Sequence, residues 1–187
     1  MLVKELSGIT LADSKRELVY GRLSRRLRHL GLGTFAEYRA LLASDSGREE
    51  LGEFTNAVTT NLTSFFRENH HFDYLRDEFL LPRLQKAGAT RRIRIWCNAA
   101  STGEEPYSIA MTVAEAIPDW ERWDIRILAT DLDTRCIADC EAATYREERV
   151  RALPRARLER WFERATRGGD TVYRVKPELQ RMITFRQ

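Results

Sequence analysis

Residues Arg94–Tyr107, RIWCNAASTGEEPY, join an apolar strand to a helix through a loop of small residues. The strand ends at Cys97, and the residues from Asn98 to Gly103 carry little side-chain volume. Pro106 suits the first turn of a helix, and apolar residues recur at helical spacing after it. A strand, a loop that permits close backbone approach and a helix N-terminus together predict a binding site for an anionic or polar small molecule.

The loop also carries two acids, Glu104 and Glu105, at the start of the predicted helix. Carboxylates there would repel a pyrophosphate, but they can accept hydrogen bonds from ribose hydroxyls or an ammonium, or lie near a sulfonium. The pattern therefore favours a cationic nucleoside cofactor over a dinucleotide. A loop with one glycine is common, so an ordinary strand-to-helix turn is the alternative interpretation.

A second predicted strand, Trp123–Thr130 (WDIRILAT), ends in Asp131-Leu132-Asp133. Doubly wound sheets place a ribose-binding acid at the end of their second strand, and Asp131 stands at that position. Its separation from Gly103 exceeds the usual ~20 residues, which a longer helix and the turn at Pro118 would explain. Asp131 or Asp133 could instead be only a helix N-cap.

Four segments together resemble the chemotaxis receptor methyltransferases of the CheR type, which are S-adenosylmethionine-dependent protein-glutamate O-methyltransferases. The segments are RLSRRLRHLGLGTFAEYRALL (Arg22–Leu42), TTNLTSFFRENHHF (Thr59–Phe72), NAASTGEEPYSIAM (Asn98–Met111) and ATDLDT (Ala129–Thr134). The resemblance implies that S-adenosylmethionine is the cofactor and S-adenosylhomocysteine the product. It also implies methyl transfer to glutamate side chains of methyl-accepting chemotaxis proteins.

The resemblance implies that Asn61, Thr63 and Arg67 reach over the methionine end of the donor, and the loop and strand end add Glu105 and Asp131, so that five residues are expected to bind the cofactor. Arg67 is also the expected catalytic residue, which orients the incoming carboxylate or clamps that of the cofactor. The five are Asn61, Thr63, Arg67, Glu105 and Asp131. From the pattern alone, Asn61–Arg67 would be a capped helix start with an exposed arginine. No metal site is expected, because Cys136 and Cys140 lack further ligands nearby and are typical of buried free thiols.

A basic stripe lies on the predicted helix before Leu30, where Arg22, Arg25, Arg26 and His29 share one face. Such a stripe is most often a solvated surface. In the resembled family this helix faces the acidic cytoplasmic methylation region of the chemoreceptor, which implies that Arg22, Arg25 and Arg26 bind substrate. The net charge of only +3 does not suggest nucleic-acid binding.

The expected fold class is α/β, with a small all-helical N-terminal domain followed by the first part of a doubly wound, Rossmann-like methyltransferase sheet. The domains are predicted at 1–60 for receptor recognition, 61–90 for a linker helix and 91–187 for the sheet. A small antiparallel β subdomain is expected at about 165–187, on which a receptor tail docks in some family members. Some 95 residues after the linker supply only about three of seven strands, so the chain is expected to be a fragment.

The sequence contains no stretch that approaches a membrane span, and its three cysteines fit a reducing compartment, so a cytoplasmic location is expected. Two other functions remain open. One is methylation of an amine or a nucleic acid from the same cofactor site, and the other is a non-catalytic module that binds a partner through the N-terminal helices.

Overall fold

The computed structural model describes residues 12–86 and 90–187, together with Lys4, Gly8 and Thr10. The chain divides into two compact units. The first unit comprises Met1–Thr60 with Leu132–Thr134, and the second comprises Asn61–Asp131 with Arg135–Gln187. Residues 87–89 of the predicted linker lie outside the described residues. Within the described part, no helix is long and apolar enough to cross a membrane.

Between residues 12 and 60, the first unit includes the α-helices α1 (Arg16–His29), α2 (Phe35–Leu42) and α3 (Arg48–Val58). A capping box starts α2, because the Thr34 hydroxyl accepts the Glu37 N–H while the Glu37 carboxylate accepts the Thr34 N–H. Apolar residues at helical spacing form one core. This core consists of Val19, Leu23, Leu27, Tyr38, Leu42, Phe54 and Val58.

The second unit begins with the segment 61–69, which leads into a continuous helical stretch. This stretch consists of α4 (His70–Tyr74), a π-helical turn (Leu75–Leu80) and α5 (Leu81–Gln85). Leu80 is buried at the end of the π-helical turn, where it joins the core of the second unit. The helical stretch therefore anchors the segment 61–69 to the sheet domain.

A three-stranded parallel sheet in the order β1-β2-β6 organises the second unit. The strands are β1 (Arg92–Cys97), β2 (Asp124–Thr130) and β6 (Ile183–Arg186), and α6 (Glu104–Ala116) follows β1. Cys97 pairs with Ala129, and Ala129 pairs with Phe185. The carboxyl ends of all three strands therefore meet at one edge, which is where parallel sheets bind ligands. The predicted α/β class is confirmed.

A second, antiparallel sheet has the order β3-β5-β4. Its strands are β3 (Thr144–Arg146), β4 (Phe162–Arg167) and β5 (Asp170–Val175), and Gly168 and Gly169 turn the chain at positive φ between the last two. The remaining helices are α7 (Thr134–Ala142), α8 (Glu147–Val150), α9 (Arg155–Trp161) and α10 (Pro177–Gln180).

The predicted extent of the antiparallel subdomain, about 165–187, is wrong at both ends. It begins earlier, with β3 at Thr144, and it ends earlier, with β5 at Val175. The strand β6, which the predicted range includes, pairs with β2 in the parallel sheet instead. The physical reason is that a four-residue apolar strand carries no information about its partner, so its alternation fits either sheet.

Candidate functional site

The loop after β1 lies partly exposed at the carboxyl edge of the parallel sheet. Asn98 and Ala99 are exposed, while the N–H of Ala100 donates to the carbonyl oxygen of Thr130 at 3.0 Å. Gly103 has φ of +98°, a conformation that glycine adopts readily and that turns the chain into α6. Small residues thus allow the loop to lie close to β2.

Asp131 follows β2 and contacts this loop directly. The backbone N–H of Ser101 donates to Asp131 Oδ2 at 2.7 Å, and Asp131 is half-buried. The loop and the predicted ribose-binding acid therefore lie side by side, as the strand register requires. Sequence reasoning identified both features but not this hydrogen bond, because a contact across two strand ends depends on the tertiary structure.

The two adjacent acids of the loop have different environments. Glu104 is fully buried and forms an ion pair with Arg149, whereas Glu105 is exposed. The Cys97 thiol donates to Glu105 Oε1 at 3.4 Å. Burial, together with the Glu105 carboxylate, raises the pKa of Cys97 to about 12, so the thiol remains a protonated donor. Of the pair, only Glu105 offers its carboxylate towards the loop edge.

The segment 61–67 passes over the same loop. The Ser101 hydroxyl donates to the carbonyl oxygen of Asn61 at 3.2 Å, and the Phe66 N–H donates to Ser108 Oγ at 3.0 Å. Phe65 is buried against Tyr145, with ring centroids 4.9 Å apart. These contacts fix both ends of the segment against the sheet domain.

Within that segment, Thr63 is half-buried and Arg67 is exposed. Arg67 Nη1 donates to the carbonyl oxygen of Leu62 at 2.9 Å, which folds the guanidinium back towards residues 61–63. The structure therefore brings Asn61, Ser101 and Asp131 into one continuous chain of contacts, and it places Thr63 and Arg67 on the segment that Asn61 begins.

In the first unit, the three predicted substrate-binding arginines have different surroundings. The guanidinium of Arg26 forms a two-pronged contact with Glu50, with Nε–Oε1 at 2.9 Å, while Arg22 donates to the carbonyl oxygens of Ala57 and Thr59 at the end of α3. Arg25 is exposed. Two of the three side chains thus also bind within the helical unit, and Arg25 is the most accessible to a partner.

Glu50 also accepts a hydrogen bond from the Tyr38 hydroxyl at 2.6 Å. Burial alone would raise the pKa of the Glu50 carboxyl, but the hydrogen bonds from Arg26 and Tyr38 outweigh it and hold the pKa below its usual value. Glu50 is therefore ionised at neutral pH and couples α1, α2 and α3. This cluster could not be predicted from the sequence, since a glutamate on a helix is ordinarily exposed.

S-adenosylmethionine fits the residues at the carboxyl edge of the parallel sheet. Asn98 and Ala99 of the loop are exposed, and two carboxylates, those of Glu105 and Asp131, lie at the same strand ends. Asp131 would hold the ribose hydroxyls, and the negative charge would favour the ammonium and sulfonium groups of the donor. The donor set therefore agrees with a cationic nucleoside.

Comparison with known protein families assigns both parts of the chain. Residues 61–187 match the family described as CheR methyltransferase, SAM binding domain, and residues 1–59 match CheR methyltransferase, all-alpha domain. The match to the all-alpha domain ends at residue 59, and the N-terminal part of the first compact unit ends at Thr60, so the two boundaries differ by one residue. S-adenosylmethionine is thus the methyl donor that the family match indicates.

Three relatives cover almost the whole chain. It is 47% identical to chemotaxis protein methyltransferase 2 of Pseudomonas aeruginosa over 97% of its length, and 43% identical to the chemotaxis protein methyltransferase of Escherichia coli over 98%. A probable chemotaxis protein methyltransferase of Rhizobium etli is 42% identical over 97%. The chain spans 62% of the length of the first two relatives and 68% of the third. On these matches, the chain belongs to the CheR methyltransferase family.

Proposed function

We propose that the protein transfers the methyl group of S-adenosylmethionine to glutamate side chains of chemoreceptors and so forms glutamyl methyl esters. One arrangement carries the proposal: Ser101 links Asp131 on one side to the segment that begins at Asn61 on the other. A small-residue loop, an acid at a strand end and a covering segment form a pocket edge suited to a nucleoside donor. The family of the chain and the names of its relatives support the same reaction.

The donor supplies a methyl group on a positively charged sulfonium, which is electrophilic without further activation. Asp131 and Glu105 bind and orient it, and Asn61 and Thr63 cover it and exclude water. Arg67 orients a carboxylate, either that of the acceptor glutamate or that of the donor. A glutamate side chain has a pKa near 4.3 and is already ionised at neutral pH, so the residues here need not remove a proton.

The acceptor would be the acidic methylation region of a chemoreceptor, recognised by Arg25 together with Arg22 and Arg26. The exposed guanidinium of Arg25 can pair with acids of a receptor helix, while Arg22 and Arg26 contribute positive charge from their places on the same helix. Because the methylation region of such receptors is cytoplasmic, the protein would act in the cytoplasm.

The test uses the protein expressed from its natural reading frame, methyl-labelled S-adenosylmethionine and a receptor cytoplasmic fragment. A glutamyl methyl ester releases labelled methanol in mild base, whereas an N-methyl group does not. We expect base-labile label that depends on acceptor glutamates and is lost in Arg67→Met. Base-stable label would instead identify an amine or nucleic-acid methyltransferase, and tight receptor binding without any label would identify a binding module.

A further inference from the structure

A completely buried carboxylate lies next to residues 98–103, the donor loop, which joins β1 to α6. Glu104, the first residue of α6, is 0% exposed, and it accepts a hydrogen bond from Thr102 Oγ1 at 2.6 Å. Arg149 Nη2 pairs with the same carboxylate and also donates to Thr102 Oγ1 at 2.9 Å. A buried carboxylate needs such a partner, because an unpaired charge away from water is strongly unfavourable.

The backbone of the loop is held from the same side by two further side chains. The Tyr145 hydroxyl donates to the carbonyl oxygen of Thr102 at 2.9 Å, and the Cys140 thiol donates to that of Ser101 at 3.1 Å. Burial raises the pKa of both groups, so both remain protonated donors at neutral pH. Two consecutive residues of the loop, Ser101 and Thr102, are therefore held by buried side chains.

The opposite side of this loop faces the candidate donor site. There the Ser101 N–H binds Asp131, and the Ser101 hydroxyl binds the carbonyl oxygen of Asn61. The Ser101 N–H belongs to the Ala100–Ser101 peptide group, whose carbonyl oxygen accepts the Gly103 N–H at 3.0 Å. The carbonyl oxygens that Cys140 and Tyr145 bind belong to the next two peptide groups of the loop. These side chains therefore restrict the backbone that follows the Ser101 N–H, and with it the direction of the hydrogen bond to Asp131.

We propose that Arg149 and Tyr145 are positioning residues for the methyl donor. They act through Glu104 and Thr102, which fix the loop backbone and with it the geometry of Asp131. Arg149 also balances the charge of Glu104, so that Glu105 and Asp131 supply the negative charge offered to the donor. This inference rests on the proposed function.

The location of the two residues links the donor loop to the antiparallel sheet. Tyr145 lies on β3 and pairs with Tyr173 of β5, while Arg149 lies on α8, which follows β3 directly. A displacement of β3 would therefore move the supports of the loop. The antiparallel sheet thus supports the loop of the proposed donor site through Tyr145 and Arg149.

The experiment compares Arg149→Met, Arg149→Lys and Tyr145→Phe with Arg146→Met, a control at an exposed arginine on β3. Three properties are measured: affinity for S-adenosylhomocysteine by calorimetry, hydrogen exchange of residues 98–103 without ligand, and kcat and KM for the donor. We expect Arg149→Met to weaken binding by about tenfold and to raise KM more than it lowers kcat, with faster exchange in the loop. Arg149→Lys should restore part of the affinity, Tyr145→Phe should weaken binding by about threefold, and Arg146→Met should match the wild type.

A double-mutant cycle tests whether Arg149 acts through Glu104. Glu104→Gln and Arg149→Met should not be additive in their effect on affinity. Unchanged affinity and unchanged loop exchange in both Arg149→Met and Tyr145→Phe would overturn the inference alone, provided that the wild type binds the ligand. If Arg149→Met does not fold, Tyr145→Phe decides the question. A wild-type protein that retains no S-adenosylhomocysteine would contradict the proposed function and this inference together.

Discussion

The backbone N–H of Ser101 donates to Asp131 Oδ2 at 2.7 Å, across the carboxyl ends of β1 and β2. The acid that we expect to hold the ribose therefore also holds the loop that we expect to bind the donor. A hydrogen bond to a carboxylate is stronger than one between neutral groups, so this contact adds order to the loop before any ligand binds. One side chain thus combines ligand binding with preorganisation of the site.

Replacement of Asp131 by alanine should lower the affinity for S-adenosylhomocysteine by about tenfold or more, because a charged hydrogen-bond pair to ribose is lost. Asp131→Asn keeps an oxygen that can accept the Ser101 N–H, so its loss should be smaller. Calorimetric titration measures both. Asp170→Ala, at an exposed acid that begins β5, serves as the control and should bind as the wild type does. Equal affinity in all three variants would remove Asp131 from the site.

Gly103→Ala should destabilise the protein and disrupt the loop. A Cβ atom at this position would lie 2.6 Å from Tyr145 Oη and 3.2 Å from Cys140 Sγ, and φ is +98°. Steric overlap and backbone strain together should cost about 2–4 kcal/mol of unfolding free energy, measured by urea denaturation.

Gly169→Ala is the matched control for Gly103→Ala. Gly169 has a similar φ of +90°, but no atom lies within 4 Å of the position of its Cβ. Gly169→Ala should therefore lower the free energy of unfolding only by the backbone strain, about 1 kcal/mol. Adding Tyr145→Phe to Gly103→Ala removes the clashing oxygen and should recover part of the loss. Equal effects of the two glycine substitutions would contradict the tight packing at Gly103.

The stability of the helical unit should depend on pH through Glu50. Its pKa is raised by burial but lowered more strongly by hydrogen bonds from Arg26 and Tyr38, with a net value below the usual 4.5. An acid with a lowered pKa stabilises the fold above its unfolded pKa, and this stabilisation is lost as the pH falls through the folded pKa. At pH values below about 4, the melting temperature should therefore decrease.

Glu50→Gln tests this directly. At neutral pH the substitution should lower the free energy of unfolding by about 2–3 kcal/mol, because it leaves the Arg26 guanidinium without its nearest charged partner. Towards pH 3 the difference from the wild type should narrow. Thermal unfolding followed by far-ultraviolet circular dichroism measures both curves, and a constant difference across the pH range would exclude Glu50 as the titrating group.

Substitutions of the arginines of α1 should have two different effects, one on receptor binding and one on stability. Arg25→Ala should leave the melting temperature unchanged and raise KM for the receptor by up to about fivefold, since one exposed ion pair contributes up to about 1 kcal/mol. Arg22→Ala should lower the melting temperature, because two carbonyl oxygens at the end of α3 lose their donor. Thermal melts and receptor titrations at two salt concentrations measure these effects. A loss of stability in Arg25→Ala would contradict the separation.

Much of the parallel sheet could be predicted from the sequence. The small-residue loop before α6 and the position of Asp131 followed from periodicity and turn chemistry, because they are local signals. The helical N-terminal part was predicted for the same reason. Each of these features occupies a single stretch of chain whose residue types restrict the backbone directly.

Features that depend on distant residues could not be predicted in this way. Glu104 and Glu105 are neighbours, and only packing decides that the first is buried against Arg149 while the second faces the loop edge. The pairing of β6 with β2 likewise depends on the path of the chain between them. Ala143 has φ of +51° and is buried, so the backbone adopts a left-handed conformation there without glycine.

The most direct test of the account is a hydrogen-exchange difference map of the wild-type protein with and without saturating S-adenosylhomocysteine. The account predicts protection in three segments, 61–67, 98–105 and 129–131, with no change in the helices of the first unit before residue 58. Absence of protection at millimolar ligand, or protection confined to the antiparallel sheet, would contradict the claim that Asp131 and the loop after β1 bind the donor beneath the segment 61–67.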